Sequence, residues 1–268
     1  MVQDPATIIA AIPEWRGADI QQLCGGYNNA TYKLTKGGKS AVLKLDVSPR
    51  DETLNSRQAE AQIQNMAAQV GLAPAVILAD ERMYLGEYVE GVALARACLG
   101  EVEYLERLAK ALKKLHALPL TGRSFDARVA ARRYVEKISG LDASVILQCQ
   151  RTIESMRLPQ NLCCCHNDLV VENILTTPEL VFIDWEYACD NDPFFDLATV
   201  IEHHELSDAQ ANLLLDAYFE GDGRRWRPYL EKQRKLYLAL YCLWLASRPG
   251  SDATLIRSVA ERVTTSCS

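Results

Sequence analysis

The sequence predicts an α+β fold in which short strands come first and helices follow. Residues 20–88 contain short apolar or alternating runs separated by glycine turns, which is typical of strands joined by hairpins. From Glu101 onward the apolar residues recur every three or four positions, which is the period of an amphipathic helix. Within this helical half, Leu162 to Glu186 returns to a strand pattern and carries a group of polar residues. The chain of 268 residues is long enough for one large domain or two lobes.

Composition limits the classes of function. Apolar residues make up 49% of the chain, which supports a sizeable core without metal or disulfide cross-links. A net charge of −6 and a pI of about 5.4 argue against nucleic acid as the main partner. The longest apolar run, Leu236 to Ala246, is too short to span a bilayer, and no N-terminal signal pattern is present. We therefore expect a cytoplasmic protein that does not cross a membrane, and the sequence leaves its oligomeric state open.

The nine cysteines include no Cys-x-x-Cys pair and no histidine at a spacing suited to zinc. Three of them, Cys163 to Cys165, form a predicted strand immediately before a polar loop. Free thiols in a reducing cytoplasm are the simplest interpretation. A redox or metal role for this group is the alternative.

Five strands are predicted in the N-terminal part, and one of them contains a lysine. Lys44 lies inside the apolar run Ala41 to Leu45, and a lysine is rarely buried without a partner. The helix predicted from Glu52 to Val70, ended by Gly71, offers Glu60 as that partner and Glu52 as the alternative.

A glycine loop joins the first two predicted strands, with the sequence Gly25-Gly26-Tyr27-Asn28-Asn29. Two adjacent glycines allow the backbone to approach a phosphate group closely. An ordinary hairpin turn is the alternative interpretation.

Two helices of the second half carry features of interest. The first has an apolar stripe from Val102 to Leu115 and ends at His116, which we interpret as structural rather than as a ligand. The second, from Leu230 to Ser247, places Tyr237, Tyr241 and Trp244 on one face. Such a stripe packs into a core or binds a cation, and the spacing alone does not decide between them.

The strand-rich segment carries the clearest chemistry. An apolar run leads into His166-Asn167-Asp168, Asn173 follows five residues later, and a second apolar run delivers Asp184. Asn173 and Asp184 supply the hard oxygen atoms that Mg²⁺ prefers, and Asp168 can accept a proton or orient a hydroxyl group. A hairpin whose polar residues only form turns is the alternative.

The pattern His-x-Asp-x-x-x-x-Asn followed by apolar-apolar-Asp resembles the catalytic and metal-binding segments of kinases. The longer strings CHNDLVVENIL and FIDWEYACDNDPFFDLA resemble the choline/ethanolamine kinase and aminoglycoside phosphotransferase superfamily, and especially its bacterial choline-kinase-like and thiamine-kinase-like members. Protein kinases carry Arg before the catalytic Asp and Phe-Gly after the metal Asp. This chain has Asn167 and Trp185-Glu186 there, which favours a small-molecule kinase.

The resemblance implies a two-lobed, protein-kinase-like fold. A small antiparallel sheet lobe at residues 1–88 would bind the nucleotide, and a larger, mainly helical lobe at residues 89–268 would hold the catalytic and substrate residues. It implies transfer of the γ-phosphoryl group of ATP, with Mg²⁺, to an alcohol. Asp168 would act on the hydroxyl, Asn173 and Asp184 would hold the metal, and Lys44 would neutralise phosphate charge with Glu60 beside it. The other implied residues are Gly25, Gly26, Asn28 and Asn29 at the phosphates, the backbones of Glu87 and Val89 at adenine, and His166 and Asp196 as supports of the catalytic loop.

The substrate is expected to be a small cation that bears a hydroxyl group. An acidic strip follows the metal Asp and consists of Glu186, Asp190, Asp192, Asp196, Glu202 and Glu205. With Tyr241 and Trp244, Glu186 and Glu202 are the candidate substrate residues. Choline or ethanolamine comes first, then thiamine, then an aminoglycoside or amino sugar. A nucleotide-binding regulator without activity is the alternative of another class, and it is disfavoured because Lys44, Asp168 and Asp184 are all present.

Overall fold

The structure is a computed structural model that describes residues 4–23, 29–47, 56–81, 83–93, 102–157, 159 and 161–265. The chain forms two compact units. One comprises Met1–Leu94 with Glu172–Ala188, and the other comprises Ala95–Val171 with Cys189–Ser268. The predicted boundary after residue 88 lies close to Leu94, and residues 172–188 group with the N-terminal unit although they are distant from it in sequence.

The first unit is built on an antiparallel sheet of five strands, as predicted. The sheet has the order β1-β2-β3-β5-β4. The strands are β1 (Asp19–Gln22), β2 (Asn29–Lys36), β3 (Lys39–Asp46), β4 (Val76–Ala79) and β5 (Met83–Glu87), with helices α1 (Pro5–Ala10) and α2 (Arg57–Gln69). Gly37 and Gly38 form the two-residue turn between β2 and β3, and both have positive φ, which such a turn requires.

Strand β3 separates apolar and charged side chains onto opposite faces. Ala41, Leu43 and Leu45 are buried in a core that also contains Ile9 and Trp15. Because side chains alternate along a strand, Lys44 points to the other face of the sheet. Helix α2 supplies one partner of Lys44, Glu60, on that side. The alternation along β3 therefore determines which face of the sheet carries this lysine.

The sequence from Pro5 to Trp15 predicts a short amphipathic helix, and helix α1 is shorter than this prediction. It ends at Ala10, and the chain continues through turns. Pro13 explains the difference, since a proline inside a helix removes a hydrogen bond and clashes with the preceding turn.

A small three-stranded sheet completes the first unit. It consists of β6 (Val92–Ala93), β8 (Ile174–Thr176) and β9 (Leu180–Phe182), in the order β6-β8-β9. The Phe182 N–H donates to the Leu72 carbonyl at 2.7 Å, so the hairpin is joined to the segment that follows α2. This hairpin carries Asn173 just before β8 and Asp184 just after β9.

The second unit is mainly helical, as predicted. Its helices are α3 (Val102–His116), α4 (Ala127–Val135), α5 (Ala143–Ser155), α6 (Pro193–His203), α7 (Asp208–Tyr218), α8 (Arg227–Ala246) and α9 (Ala253–Thr265). A short antiparallel pair joins β7 (Cys163–Cys165) to β10 (Cys189–Asn191). Across the described residues, every helix is too short or too polar to span a bilayer.

Candidate active site

Lys44 is held between two carboxylates in the first unit. Its Nζ atom lies 2.7 Å from Oδ1 of Asp184 and 3.3 Å from Oε1 of Glu60. Burial lowers the pKa of Lys44, but the attraction of Asp184 and Glu60 together outweighs it, and the pKa lies above its ordinary value of 10.5. The side chain is therefore a fixed positive charge with Glu60 and Asp184 as partners, and Glu52, the alternative partner in the prediction, lies outside the described residues.

A buried arginine that the sequence analysis missed extends this network. Arg57 is 1% exposed, and its Nη1 atom donates to Oε2 of Glu60 at 2.7 Å. It also donates to Asp46 and, at 2.7 Å, to Oδ1 of Asn29. A signal existed in the sequence, because Arg57 and Glu60 are spaced i,i+3 in a predicted helix.

Two residues that were predicted to bind nucleotide or substrate, Asn29 and Glu186, belong to the network of Arg57. Asn29 is buried, and its Nδ2 atom donates to Oε2 of Glu186 at 3.3 Å. Glu186 was expected to contact substrate, but it is 7% exposed and belongs to the same network as Asn29. Its carboxylate therefore positions Asn29 and, through Asn29, Arg57.

Asp184 has an unusual backbone conformation. Its φ and ψ are 66° and 63°, in the left-handed region that non-glycine residues rarely occupy. Trp185, which is fully buried, donates from Nε1 to the Phe182 carbonyl at 2.9 Å and holds the turn on both sides of Asp184. Such strain is maintained only where the surroundings enforce it, and it is concentrated at functional sites.

The backbone brings Asn173 next to the turn of Asp184. The Ile183 N–H donates to the Asn173 carbonyl at 2.9 Å, one residue before Asp184. Asn173 is buried at 8% exposure, and Asp184 is half-buried. A carboxamide and a carboxylate at the base of one hairpin are a donor set of hard oxygen atoms, which fits Mg²⁺.

In the second unit, Asp168 lies in a loop whose backbone donates hydrogen bonds to the carboxylate of Asp196. The fully buried carboxylate of Asp196 accepts the His166 N–H at 2.9 Å and the Asn167 N–H at 2.7 Å. The cap of α6 is made by Asp192, whose carboxylate accepts the Phe194 N–H, so Asp196 is not the capping residue. The contact that the resemblance implied between Asp196 and the loop backbone is present.

Further bonds fix the loop on both sides of Asp168. Asn167 has a φ of 64° and accepts a hydrogen bond from Asn191 Nδ2 at 2.7 Å. After Asp168, the Leu169 carbonyl accepts from His204 Nε2 at 3.2 Å. The loop is thus anchored before and after the half-buried Asp168.

His116 takes part in the same support. Its Nε2 atom lies 3.2 Å from Oδ2 of Asp196, and its Nδ1 atom lies 2.7 Å from the Tyr218 hydroxyl. The side chain connects the end of α3 to α6 and α7. These contacts give His116 a structural role in the support of the loop.

The aromatic residues of α8 form a stacked row. The ring centroids of Tyr237 and Tyr241 are 5.8 Å apart, and those of Tyr241 and Trp244 are 6.0 Å apart. Tyr237 is buried, whereas Tyr241 and Trp244 are half-buried. Burial raises the pKa of Tyr237, and the charge of Asp168 raises it further. The row therefore begins within the electrostatic reach of Asp168.

Two neighbours contact the row from outside α8. The His203 ring meets the Tyr241 ring edge to face at 4.8 Å between centroids. The guanidinium of Arg248 lies 4.8 Å from the centroid of the Trp244 ring. This second contact is a cation–π interaction made by the protein itself.

Acidic residues of the predicted strip that follows Asp184 form hydrogen bonds and ion pairs within the protein. Asp190 accepts the N–H groups of Thr121 and Gly122, and Glu202 pairs with Arg234 and Arg262. Glu202 is 5% exposed, and the two arginines compensate its charge. The charge of Glu202, a predicted substrate residue, is therefore already compensated within the protein.

Of the other residues that were predicted to bind the nucleotide, the structure describes Glu87 and Val89. Gly25, Gly26 and Asn28 lie outside the described residues. The Glu87 N–H donates to the Ala75 carbonyl at 2.9 Å, so it is committed within the sheet. Val89 follows the end of β5 and is half-buried.

The family described as "Phosphotransferase enzyme family" matches residues 19–229, which is most of the chain. The chain belongs to this phosphotransferase family. Its similarity to the superfamily of choline/ethanolamine kinases and aminoglycoside phosphotransferases, expected from the motifs, is thereby confirmed.

Among curated relatives, Protein LicA of Haemophilus influenzae is 31% identical over 211 residues. The match covers 72% of this chain and 61% of that protein, so the chain spans less than two thirds of that relative's length.

Solved structures of the family share the fold. Choline kinase LicA from Streptococcus pneumoniae superposes with a TM-score of 0.79 at 22% identity, over 97% of this chain and 96% of that one. An aminoglycoside phosphotransferase crystallised with ADP and hygromycin B gives a TM-score of 0.71 at 16% identity, over 98% of this chain and 99% of that one. The predicted protein-kinase-like fold class is confirmed.

Proposed function

We propose that this chain is an ATP- and Mg²⁺-dependent kinase that phosphorylates the hydroxyl group of a cationic amino alcohol of the choline class. The relatives support the class of reaction, since one is named a choline kinase and another was crystallised with ADP. The observation that carries the choice of substrate is the stacked aromatic row of α8, whose first ring, that of Tyr237, lies within the electrostatic reach of Asp168.

The first unit supplies the groups for the nucleotide. Lys44 is a fixed cation, and it would neutralise charge on the nucleotide phosphates while Glu60 and Arg57 keep its position. The Glu87 N–H is committed to Ala75, so the Glu87 backbone would offer its carbonyl oxygen to adenine, with Val89 as the second backbone contact.

Asn173 and Asp184 would hold Mg²⁺ through their side-chain oxygen atoms. The bound metal supplies compensation for the negative charge that builds up on the transferring phosphoryl group. Asp184 also contacts Lys44, so the lysine and the metal-binding carboxylate are positioned together.

Asp168 would orient the acceptor hydroxyl and take its proton. Its loop is fixed by Asp196 before it and by His204 after it, so the carboxylate can be presented without a search through loop conformations. A positioned base of this kind contributes about 10²–10⁴-fold to the rate.

The aromatic row would bind the cationic end of the acceptor. A permanent cation cannot lose its charge to escape burial, and an aromatic face attracts it without a counter-ion. Arg248 lies against the Trp244 ring in the folded chain, so a substrate cation at this ring would take the place of its guanidinium.

A substrate screen tests the proposal. Choline, ethanolamine, thiamine and an aminoglycoside are each incubated with MgATP, and ADP release is measured beside the Asp168→Asn variant as the blank. We expect choline or ethanolamine to give the highest kcat/KM. Preference for thiamine or an aminoglycoside would contradict the substrate class, and nucleotide binding with no turnover on any alcohol would favour the inactive regulator.

A further inference from the structure

A histidine and two cysteines meet beneath the loop of Asp168. Within the described residues, the ligand atoms of His116, Cys163 and Cys165 all lie within 4.8 Å of one another. The two Sγ atoms are 3.5 Å apart, because alternate residues of β7 share one face. His116 comes from the C-terminal end of α3, far away in sequence.

We infer that His116, Cys163 and Cys165 form a binding site for one soft metal ion of the Zn²⁺ or Cu⁺ class. Two sulfur atoms and one imidazole nitrogen are ligands that these ions prefer and that Mg²⁺ does not. Bond lengths of about 2.0–2.3 Å in a tetrahedral site need ligand atoms about 3.5 Å apart. The thiols already have this spacing, and the imidazole nitrogen, which lies within 4.8 Å of both, would have to move closer.

The surroundings of His116 resemble the support of a metal-bound histidine. Such a histidine donates its other ring N–H to a carboxylate, which fixes its tautomer and orientation. Asp196 lies 3.2 Å from Nε2, so Nδ1 is assigned as the ligand atom. The Tyr218 hydroxyl, now 2.7 Å from Nδ1, would move aside or become the fourth ligand.

The cysteines are partly shielded and are not paired in a disulfide. Apart from their contact with each other, their Sγ atoms contact, within the described residues, the carbonyl oxygens of Asn191 and Asp192 at the long distances of 3.7 Å and 3.6 Å. These weak contacts cost little to replace. Cys163 is half-buried, which leaves a route for an ion to reach the site.

Cadmium titration tests the site without any measurement of activity. Cd²⁺ bound to sulfur gives an ultraviolet charge-transfer band, whereas Cd²⁺ bound to the oxygen atoms of Asn173 and Asp184 gives none. We expect the wild-type protein to develop this band with one equivalent of Cd²⁺. Cys163→Ser and Cys165→Ser should lose it, and His116→Gln should weaken binding about tenfold or more.

The double variant Cys149→Ala/Cys242→Ala is the matched control, since it removes two other thiols and leaves His116, Cys163 and Cys165 in place. It should keep the band. Melting temperatures without metal show whether each variant folds, and the half-buried Cys163 makes Cys163→Ser the mildest test. Absence of the band in the wild-type protein, or its persistence in folded Cys163→Ser, would overturn the assignment.

Discussion

The Nζ atom of Lys44 lies 2.7 Å from Oδ1 of Asp184, although 140 positions separate the two residues in the chain. The first comes from the middle strand of the N-terminal sheet, and the second follows the hairpin that returns to the same unit. The contact couples the proposed phosphate-binding cation to the proposed metal-binding carboxylate. A substitution of Lys44 should therefore also alter the position of the Asp184 carboxylate, and a substitution of Asp184 should alter that of the Lys44 ammonium group.

Lys44→Met should lower kcat/KM by about 10²–10³-fold, the loss typical of one charge-stabilising donor. Steady-state kinetics with varied ATP measures this loss of kcat/KM. The assay pH can be anywhere below 10.5, because the pKa of Lys44 lies above that value and its ion pairs lose their contribution to stability only at higher pH. Lys39→Met, an exposed lysine of the same strand, should behave as wild type, and equal losses in both variants would remove the assigned role of Lys44.

Asp168→Asn should reduce phosphoryl transfer by about 10²–10⁴-fold and leave MgATP binding nearly intact. The carboxylate is assigned to the acceptor hydroxyl and not to the nucleotide. Single-turnover rates and nucleotide titration separate the two effects. Near-normal turnover in this variant would refute the assignment, and Asp222→Asn on the exposed surface serves as its control.

The two proposed metal ligands should respond differently to Mg²⁺. Asp184→Ala should be inactive at every Mg²⁺ concentration, whereas Asn173→Ala should recover part of its activity as Mg²⁺ rises, since a neutral ligand contributes less than a charged one. Activity is measured over a Mg²⁺ titration. Full recovery of Asp184→Ala would mean that another acidic residue holds the metal.

Asp196→Asn should lower kcat while the KM for ATP stays unchanged, because Asp196 acts through the backbone of the loop that carries Asp168. Asp190→Asn is a close control. Asp190 is also a buried carboxylate that accepts two backbone N–H groups, but these belong to Thr121 and Gly122. Both variants should melt at lower temperature. A comparable fall in kcat per folded molecule in both would show that Asp196 has only a structural role.

Local patterns in the sequence were enough to predict the five strands, the lysine in β3, and the hairpin of Asn173 and Asp184. Each of these depends on period, turn chemistry or a motif of fixed spacing, whereas the contact of Asp196 with the loop was expected only from the family resemblance. The fate of the acidic strip was not predictable in this way. Glu202 follows the metal Asp in sequence, but its partners Arg234 and Arg262 come from α8 and α9, and only the packing of these helices brings them together.

The same limit applies to two other features. A charged residue at a helix start usually faces solvent, and the burial of Arg57 depends on Asp46 and Asn29 in the sheet. The cysteines of β7 have no zinc-type spacing in the sequence, and the third residue of the proposed metal site, His116, lies in a separate helix.

Trp244→Leu should weaken binding of the cationic alcohol while the fold and the nucleotide site remain intact. Leucine fills an apolar core as well as tryptophan does in many sites, but it lacks the ring quadrupole that attracts a cation. The loss should be about 0.5–2 kcal/mol, or about 2- to 30-fold in KM. Trp226→Leu is the matched control, because Trp226 is also half-buried with an arginine, Arg225, over its ring, but it stands outside the row of α8.

The KM for choline in Trp244→Leu, measured beside the KM for ATP and the melting temperature, tests the central claim most directly. The account predicts a several-fold rise in the KM for choline, with the KM for ATP and the melting temperature close to those of the wild-type protein and of Trp226→Leu. Equal rises in both KM values, or a large fall in melting temperature with no selective effect on choline, would contradict it and would make the aromatic row part of the core.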